Sequence, residues 1–378
     1  MHVATAADLL KQNITSQKEW NTWKWKSTHI TDVTVGLSDH YVWDASSVVV
    51  DKSTQRRASM QAAYAGDAKY FPRAVKDGRN SLNYLSTQWP GVPYPFPKMT
   101  SFQGFADMEY PMMVNDSDTE DQAFGQFVQD HEIAHTYFPF YMGINESKYA
   151  FMDEGWATTF EFLMGIEEFG RTTAETNYKA FRVNQWSKSR SSAGDLSIIT
   201  PSSELKSGYG INAYGKPSLG YLALKDLLQD DLFRKSLHGF MERWHGKHPI
   251  PWDYFNSLND ITGKDLNWFF NNWFFSNNYI DVGIDKVSVT KNGQEVSISN
   301  IGGLAIPFDI VITYANAAEE KLHASPETWS KNQKSTVIVL GNKDKKAISS
   351  IRIETGIFVD ADKKNNNWTA KPIVMQNK

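Results

Sequence analysis

The chain has 378 residues, more than one hydrophobic core usually organises, and this length points to two folded units. Its hydrophobic fraction of 41% supplies packed interiors, no apolar run approaches the roughly 20 residues a membrane helix needs, and a net charge of −4 with dispersed basic residues excludes the electrostatic stripe of a nucleic-acid binder. Cysteine is absent, which removes disulfides, thiolate nucleophiles and sulfur-ligated metals together, so any metal must sit on His, Asp or Glu.

The opening stretch, MHVATAADLLKQNITSQKEW, lacks the basic-then-apolar order of a signal peptide. The compartment stays open: either the protein is cytosolic or its true N-terminus has been removed, as in a secreted or cell-envelope protein. Residues 31–50 are rich in Val, Thr and aromatics and broken by Gly36 and Asp39, which predicts short strands. From Ala58 to Trp89 apolar residues recur at helical spacing, and WPGVPYPFP then forces a loop. MTSFQGFADMEYPMMV reads as extended segments around a turn. Helical periodicity returns over Gln122 to Phe138, Met152 to Phe169 and Ser218 to Leu228. The aromatic run Trp268 to Phe275 reads as core or interdomain packing. After about Asn278, KVSVT, EVSIS, FDIVITY, STVIVL and SSIRIE alternate β-branched and polar residues between KNG, SNIGG and LGNKD turns, the pattern of a small antiparallel β-sandwich.

The chemistry sits in QDHEIAHTYF. His131 and His135, four residues apart on a helix, project from one face and can reach one ion. Zinc suits two imidazoles, and a catalytic site adds a third protein ligand and an open position for water. After eighteen intervening residues, Glu154 opens a second predicted helix and supplies that ligand. Glu132, next to His131, lies beside the metal-activated water without coordinating the ion, which is the place of a general base that later protonates the leaving amine. One zinc ion per chain follows. His238, His245 and His248 have no ligand spacing of this kind and read as structural or exposed.

HExxH, eighteen residues and the Glu-Gly pair in DEGWA resemble the aminopeptidase N family of zinc metallopeptidases. ADMEYP (106–111) is similar to that family's exopeptidase signature, which implies that Glu109, with Met108 beside it, recognises the substrate's free α-amine. YGINAYGKPSLG is similar to its tyrosine motif, implying Tyr214 as the oxyanion donor and Tyr209 as a weaker candidate in the same pocket. Ala106, Asp107 and Tyr110 depart from the usual signature, and Asp107 adds a charge near the presumed subsite.

The resemblance implies an α+β architecture: residues 1–50 as a remnant of an N-terminal β domain with lead-in strands, residues 51–277 as a thermolysin-like catalytic domain, and residues 278–378 as a β-sandwich. Most of the family's N-terminal β domain is expected to be missing, together with its second polar anchor for the α-amine. The implied activity is release of N-terminal residues from peptide or protein substrates by a zinc-activated water. Two alternatives stand beside it: a zinc endopeptidase or other hydrolase on the same site, and a non-enzymatic binding protein with a relic zinc site.

Overall fold

The structure, a computed structural model, describes residue 20 and residues 26–189, 195–290, 293–340 and 347–370. Much of the expected remnant over 1–50, and parts of the KNG and LGNKD turns, lie outside the described residues. The chain is α+β. Strands β1 (Val42–Asp51), β2 (Arg56–Tyr64), β3 (Lys98–Gly104), β4 (Met108–Tyr110) and β5 (Met113–Ser117) form one mixed sheet, ordered β1-β2-β3-β5-β4. The β1–β2 and β4–β5 pairs are antiparallel, whereas β2–β3 and β3–β5 are parallel. Strand β1 thus belongs to the same sheet as the strand carrying Glu109.

Helical spacing was expected from Ala58 onward, but β2 occupies the first part. Ala58, Met60 and Ala62 are buried at alternate positions of a strand paired on both sides, so sheet pairing overrides the helix preference of alanine. Helix α1 (Phe71–Thr87) follows, with Pro72 in its first turn, where a missing N–H costs nothing. It packs across β1 and β2 and buries Ala74, Leu82 and Leu85.

The remaining α-helices of eight residues or more are α2 (Gln122–Ala134), α3 (Glu154–Phe169), α4 (Arg171–Tyr178), α5 (Lys216–Trp244), α6 (Pro251–Thr262) and α7 (Asn267–Phe274). Helix α5 is interrupted at Gln229, where φ is +62°, so its regular first part ends where the periodicity fades after Leu228. Trp156 of α3 stacks on Tyr221 of α5, ring centroids 4.0 Å apart, at the centre of an aromatic core. Among the described residues no helix is long and apolar enough to cross a membrane.

The C-terminal strands form two antiparallel sheets. One orders β10 (Ser335–Leu340), β7 (Gly293–Asn300) and β6 (Val282–Thr290); the other orders β12 (Asn367–Thr369), β11 (Ile348–Glu354), β8 (Phe308–Tyr314) and β9 (Glu319–Ala324). The aromatic run of α7 packs as expected: Phe269, Phe270, Trp273 and Phe274 are buried. Trp273 Nε1 donates to the Ala305 carbonyl (3.0 Å), and the Asn272 amide bonds Gly303 O and Ala305 N (2.7 and 2.8 Å). His323 of β9 lies between Asp309 and Asp226 of α5 (2.7 and 3.1 Å).

Candidate active site

Helix α2 starts at Asp121, whose carboxylate accepts from the Ala123 and Phe124 N–H groups (3.0 and 3.1 Å), a polar N-cap. The helix was expected to reach Phe138 but its regular part stops at Ala134, and Phe138 is extended (φ −134°, ψ 108°). Pro139 explains this: its ring disfavours helical geometry at the preceding residue and it has no N–H to continue the ladder. The freed Phe138 carbonyl accepts from His135 Nδ1 (3.1 Å).

The structure brings His131, His135 and Glu154 together. His131 Nε2 and His135 Nε2 lie 3.2 Å apart, and Glu154 Oε2 lies 3.1 and 3.3 Å from them. A zinc ion with bonds of 2.0–2.1 Å and tetrahedral angles needs ligand atoms about 3.3 Å apart, so this triangle fits it without rearrangement. The donor set also fits, being two imidazoles and a carboxylate from two helices. Each imidazole is fixed through its other nitrogen: His131 Nδ1 donates to Glu161 Oε2 (2.9 Å) and His135 Nδ1 to Asp153 Oδ1 (2.6 Å). Such bonds settle the tautomer and turn Nε2 inward. Glu161 is in turn held by the Arg182 guanidinium, through Nε at 3.3 Å and a shorter contact from Nη2.

Burial pulls the His131 imidazole toward neutrality, but hydrogen bonds to Glu154 and Glu161 outweigh it and hold its pKa up at about 9. Burial pushes Glu154 the other way, yet the two imidazoles keep it well below the usual carboxylate range. Glu132 is buried beside this cluster, and its Oε2 accepts no hydrogen bond among the described residues. Burial, reinforced by Glu109 and Glu154 and opposed by the imidazoles, pushes Glu132 up to about 7.

Tyr214 lies in the wide, π-helical turn Ile211–Gly215 that leads into α5. Its hydroxyl donates to Glu154 Oε1 (2.6 Å), and its ring stacks on His131 with centroids 5.9 Å apart. Burial and the Glu154 charge push its pKa far up, so the phenol stays a donor. Two glycines permit this packing. A Cβ on Gly215 would lie 1.9 Å from the Arg182 carbonyl oxygen, and one on Gly155 would press Pro217 at 3.0 Å. Lys216 anchors the turn through a buried bond to Asp195 (2.8 Å) and a second to Leu196 O (2.8 Å). Tyr209 packs edge-on against Tyr214 and is partly exposed, and burial raises it to about 12.

A cavity of about 670 Å³ opens over the cluster and is lined by Met108, Glu109, Glu132, Tyr209 and Tyr214 as well as the three ligand candidates. Glu109 projects into it from edge strand β4, whose alternation leaves Met108 exposed and Glu109 buried. The Glu109 carboxylate lies 3.8 Å from His135 Nδ1. Glu109, His135 and Asp153 form a second group close enough to hold an ion, but they would share His135 Nδ1, which already donates to Asp153.

Sequence reasoning overlooked Asp153, Glu161 and Arg182. The first two had a signal: Asp153 adjoins Glu154, and Glu161 follows it by two helical turns on the same face. Arg182 had none, since its approach depends on tertiary packing. The three histidines set aside in the sequence each bond a backbone carbonyl: His238 bonds Pro90 O (2.7 Å), His245 bonds Met241 O (2.9 Å) and His248 bonds Gly143 O (2.8 Å).

Residues 91–273 match the peptidase family M1 domain. No curated protein matches the sequence. Among solved structures, aminopeptidase A from Legionella pneumophila, in complex with aspartic acid, aligns with a TM-score of 0.61 at 14% identity, over 79% of this chain and 35% of that one. An M1 zinc metallopeptidase from Deinococcus radiodurans aligns with a TM-score of 0.50 at 18% identity, over 62% of this chain and 52% of that one. At these identities the likeness is one of fold, and the chain spans between about a third and a half of those proteins' lengths.

Proposed function

We propose that the chain is an aminopeptidase of the M1 zinc metallopeptidase kind, with His131, His135 and Glu154 holding one zinc ion and Glu132 handling the proton; the family match over residues 91–273 and the triangle of ligand atoms support this reading. The bound ion supplies Lewis acidity and lowers the pKa of water toward about 7. Glu132 takes the proton of the attacking water and returns it to the amine that leaves. Tyr214 turns its single hydroxyl hydrogen from Glu154 Oε1 to the oxygen that gains charge in the transition state, a stabilisation largely absent in the ground state. Tyr209 packs against Tyr214 and limits its rotation.

The observation that carries the exopeptidase reading is Glu109. It is 5% exposed, lines the cavity beside His135 and accepts no hydrogen bond among the described residues. A carboxylate so placed needs a cation, and the α-ammonium of a peptide is the cation an aminopeptidase brings. Met108 forms the neighbouring wall. Free-amine alanyl 4-nitroanilide and its N-acetyl form separate the readings: the free form should be hydrolysed at least about a hundredfold faster, as a buried charge pair implies. Equal rates would overturn the exopeptidase assignment in favour of a zinc endopeptidase on the same residues.

A further inference from the structure

Carboxylates dominate the wall of the 670 Å³ cavity: Asp107, Glu109, Glu132, Glu146, Asp153 and Glu154. The proposed reaction accounts for some of them. Glu154 goes to the ion, Glu132 to the water, Asp153 to His135 and Glu109 to the α-ammonium. The one guanidinium of the lining, Arg182, is engaged with Glu161. Asp107 and Glu146 are left with no task in the chemistry.

Both sit on the Glu109 side. Glu146 opens the single helical turn Glu146–Tyr149, and partial burial together with the Glu109 charge pushes its carboxyl up against the opposing pull of Asp153. Asp107 precedes Glu109 by two residues and holds a left-handed backbone (φ 47°), which a non-glycine residue adopts at a cost. Its Oδ1 fixes that geometry by accepting from the Ser117 N–H (2.7 Å). Independently, buried Glu109 faces the same space with its nearest cation 3.8 Å away, a nitrogen whose proton already serves Asp153. One α-ammonium satisfies Glu109, while Asp107 and Glu146, both solvent-exposed, make no ion pair among the described residues. A cavity of this volume admits any amino-acid side chain, so size does not select and charge does.

We propose that Glu146 and Asp107 select substrates whose N-terminal residue is itself basic, lysine or arginine, receiving its side-chain cation while Glu109 receives the α-amine. This rests on the aminopeptidase reading and adds a substrate class to it.

The test compares lysyl and norleucyl 4-nitroanilides, which share a chain of similar length and differ in the terminal charge. On the zinc-loaded full chain, kcat/KM for lysyl should exceed norleucyl by about tenfold at low salt, and the ratio should fall as ionic strength rises. E146Q should reduce that ratio several-fold, and D107N/E146Q should bring it near one, with zinc content checking that each variant folds. The reversal E146K should instead favour glutamyl over glutaminyl anilide. Efficient norleucyl hydrolysis with no lysyl preference in the wild type, or a ratio untouched by the double variant, overturns this selection and leaves the aminopeptidase reading standing. Failure on every free-amine anilide overturns both.

Discussion

The phenol of Tyr214 and the carboxylate of Glu154 are joined by a 2.6 Å hydrogen bond to Oε1, while Oε2 of the same group faces both imidazoles. One oxygen is turned to the ion site and the other to the tyrosine, so the two residues share an orientation. Y214F should lower kcat by about 10²–10³ with KM changed far less, as expected for a lost oxyanion donor. Its zinc content should stay stoichiometric, because the three ligand atoms remain. Anilide kinetics with metal analysis check this, and a variant within about twofold of the wild type would contradict the role.

Glu161 and Asp153 act through the imidazoles they hold, at 2.9 and 2.6 Å. E161Q and D153N should each weaken zinc about 10–100-fold, since the bond that orients the ring and strengthens its basicity is reduced. Competition with a chelator reads this directly. E161Q should also loosen Arg182, which loses its charged partner.

The metal-free protein should lose stability as pH rises. His131 is held up at about 9 against an ordinary 6.5, so its contribution is fully present below about 6.5 and lost as pH climbs through 9. Glu132, pushed up to about 7, acts in the same direction, since its ionised form is the disfavoured one in the fold. Glu154, held low, contributes in the opposite sense: its stabilisation is present above the ordinary carboxylate range and fades only on acidification. Thermal melts of the metal-free chain should therefore show Tm falling between pH 6.5 and 9. Excess zinc should abolish that fall, because zinc takes the deprotonated imidazoles.

Lys216 and Asp195 are both buried, with 2.8 Å between Nζ and Oδ1. K216M should cost about 3–5 kcal/mol of stability, mostly because the buried Asp195 carboxylate loses its cation. Urea unfolding measures it. D195N in the same background should recover part of the loss while Tyr214 stays displaced and kcat low, which separates folding from positioning.

The parts of the site written in local sequence were legible. His131, Glu132 and His135 share one helix turn, and Glu154 starts the next long helix, so periodicity and spacing located them. The family signature added Glu109, Met108, Tyr209 and Tyr214, all of which line the same cavity. Other features escaped for identifiable reasons. The helix ending at Ala134 turned on one proline, and β2 looked helical because alanines carry little strand signal before their partners are known. Arg182 reaches Glu161 across 21 residues along a path set by how the segments pack. Glu146 was passed over because an acidic residue on a short surface turn usually means only solvation.

The contact of Trp273 and Asn272 with the backbone at residues 303–305 has a mechanical consequence. The β-sandwich is seated on the helix that closes the aromatic core, and His323 grips α5 from the same side. Heat or denaturant should therefore melt both halves in one transition, and a chain cut near residue 278 would take from Trp273 both the Phe358 ring and the Ala305 carbonyl it bonds. The C-terminal sheets are better regarded as continuous with the helical core than as an appendage tethered to it.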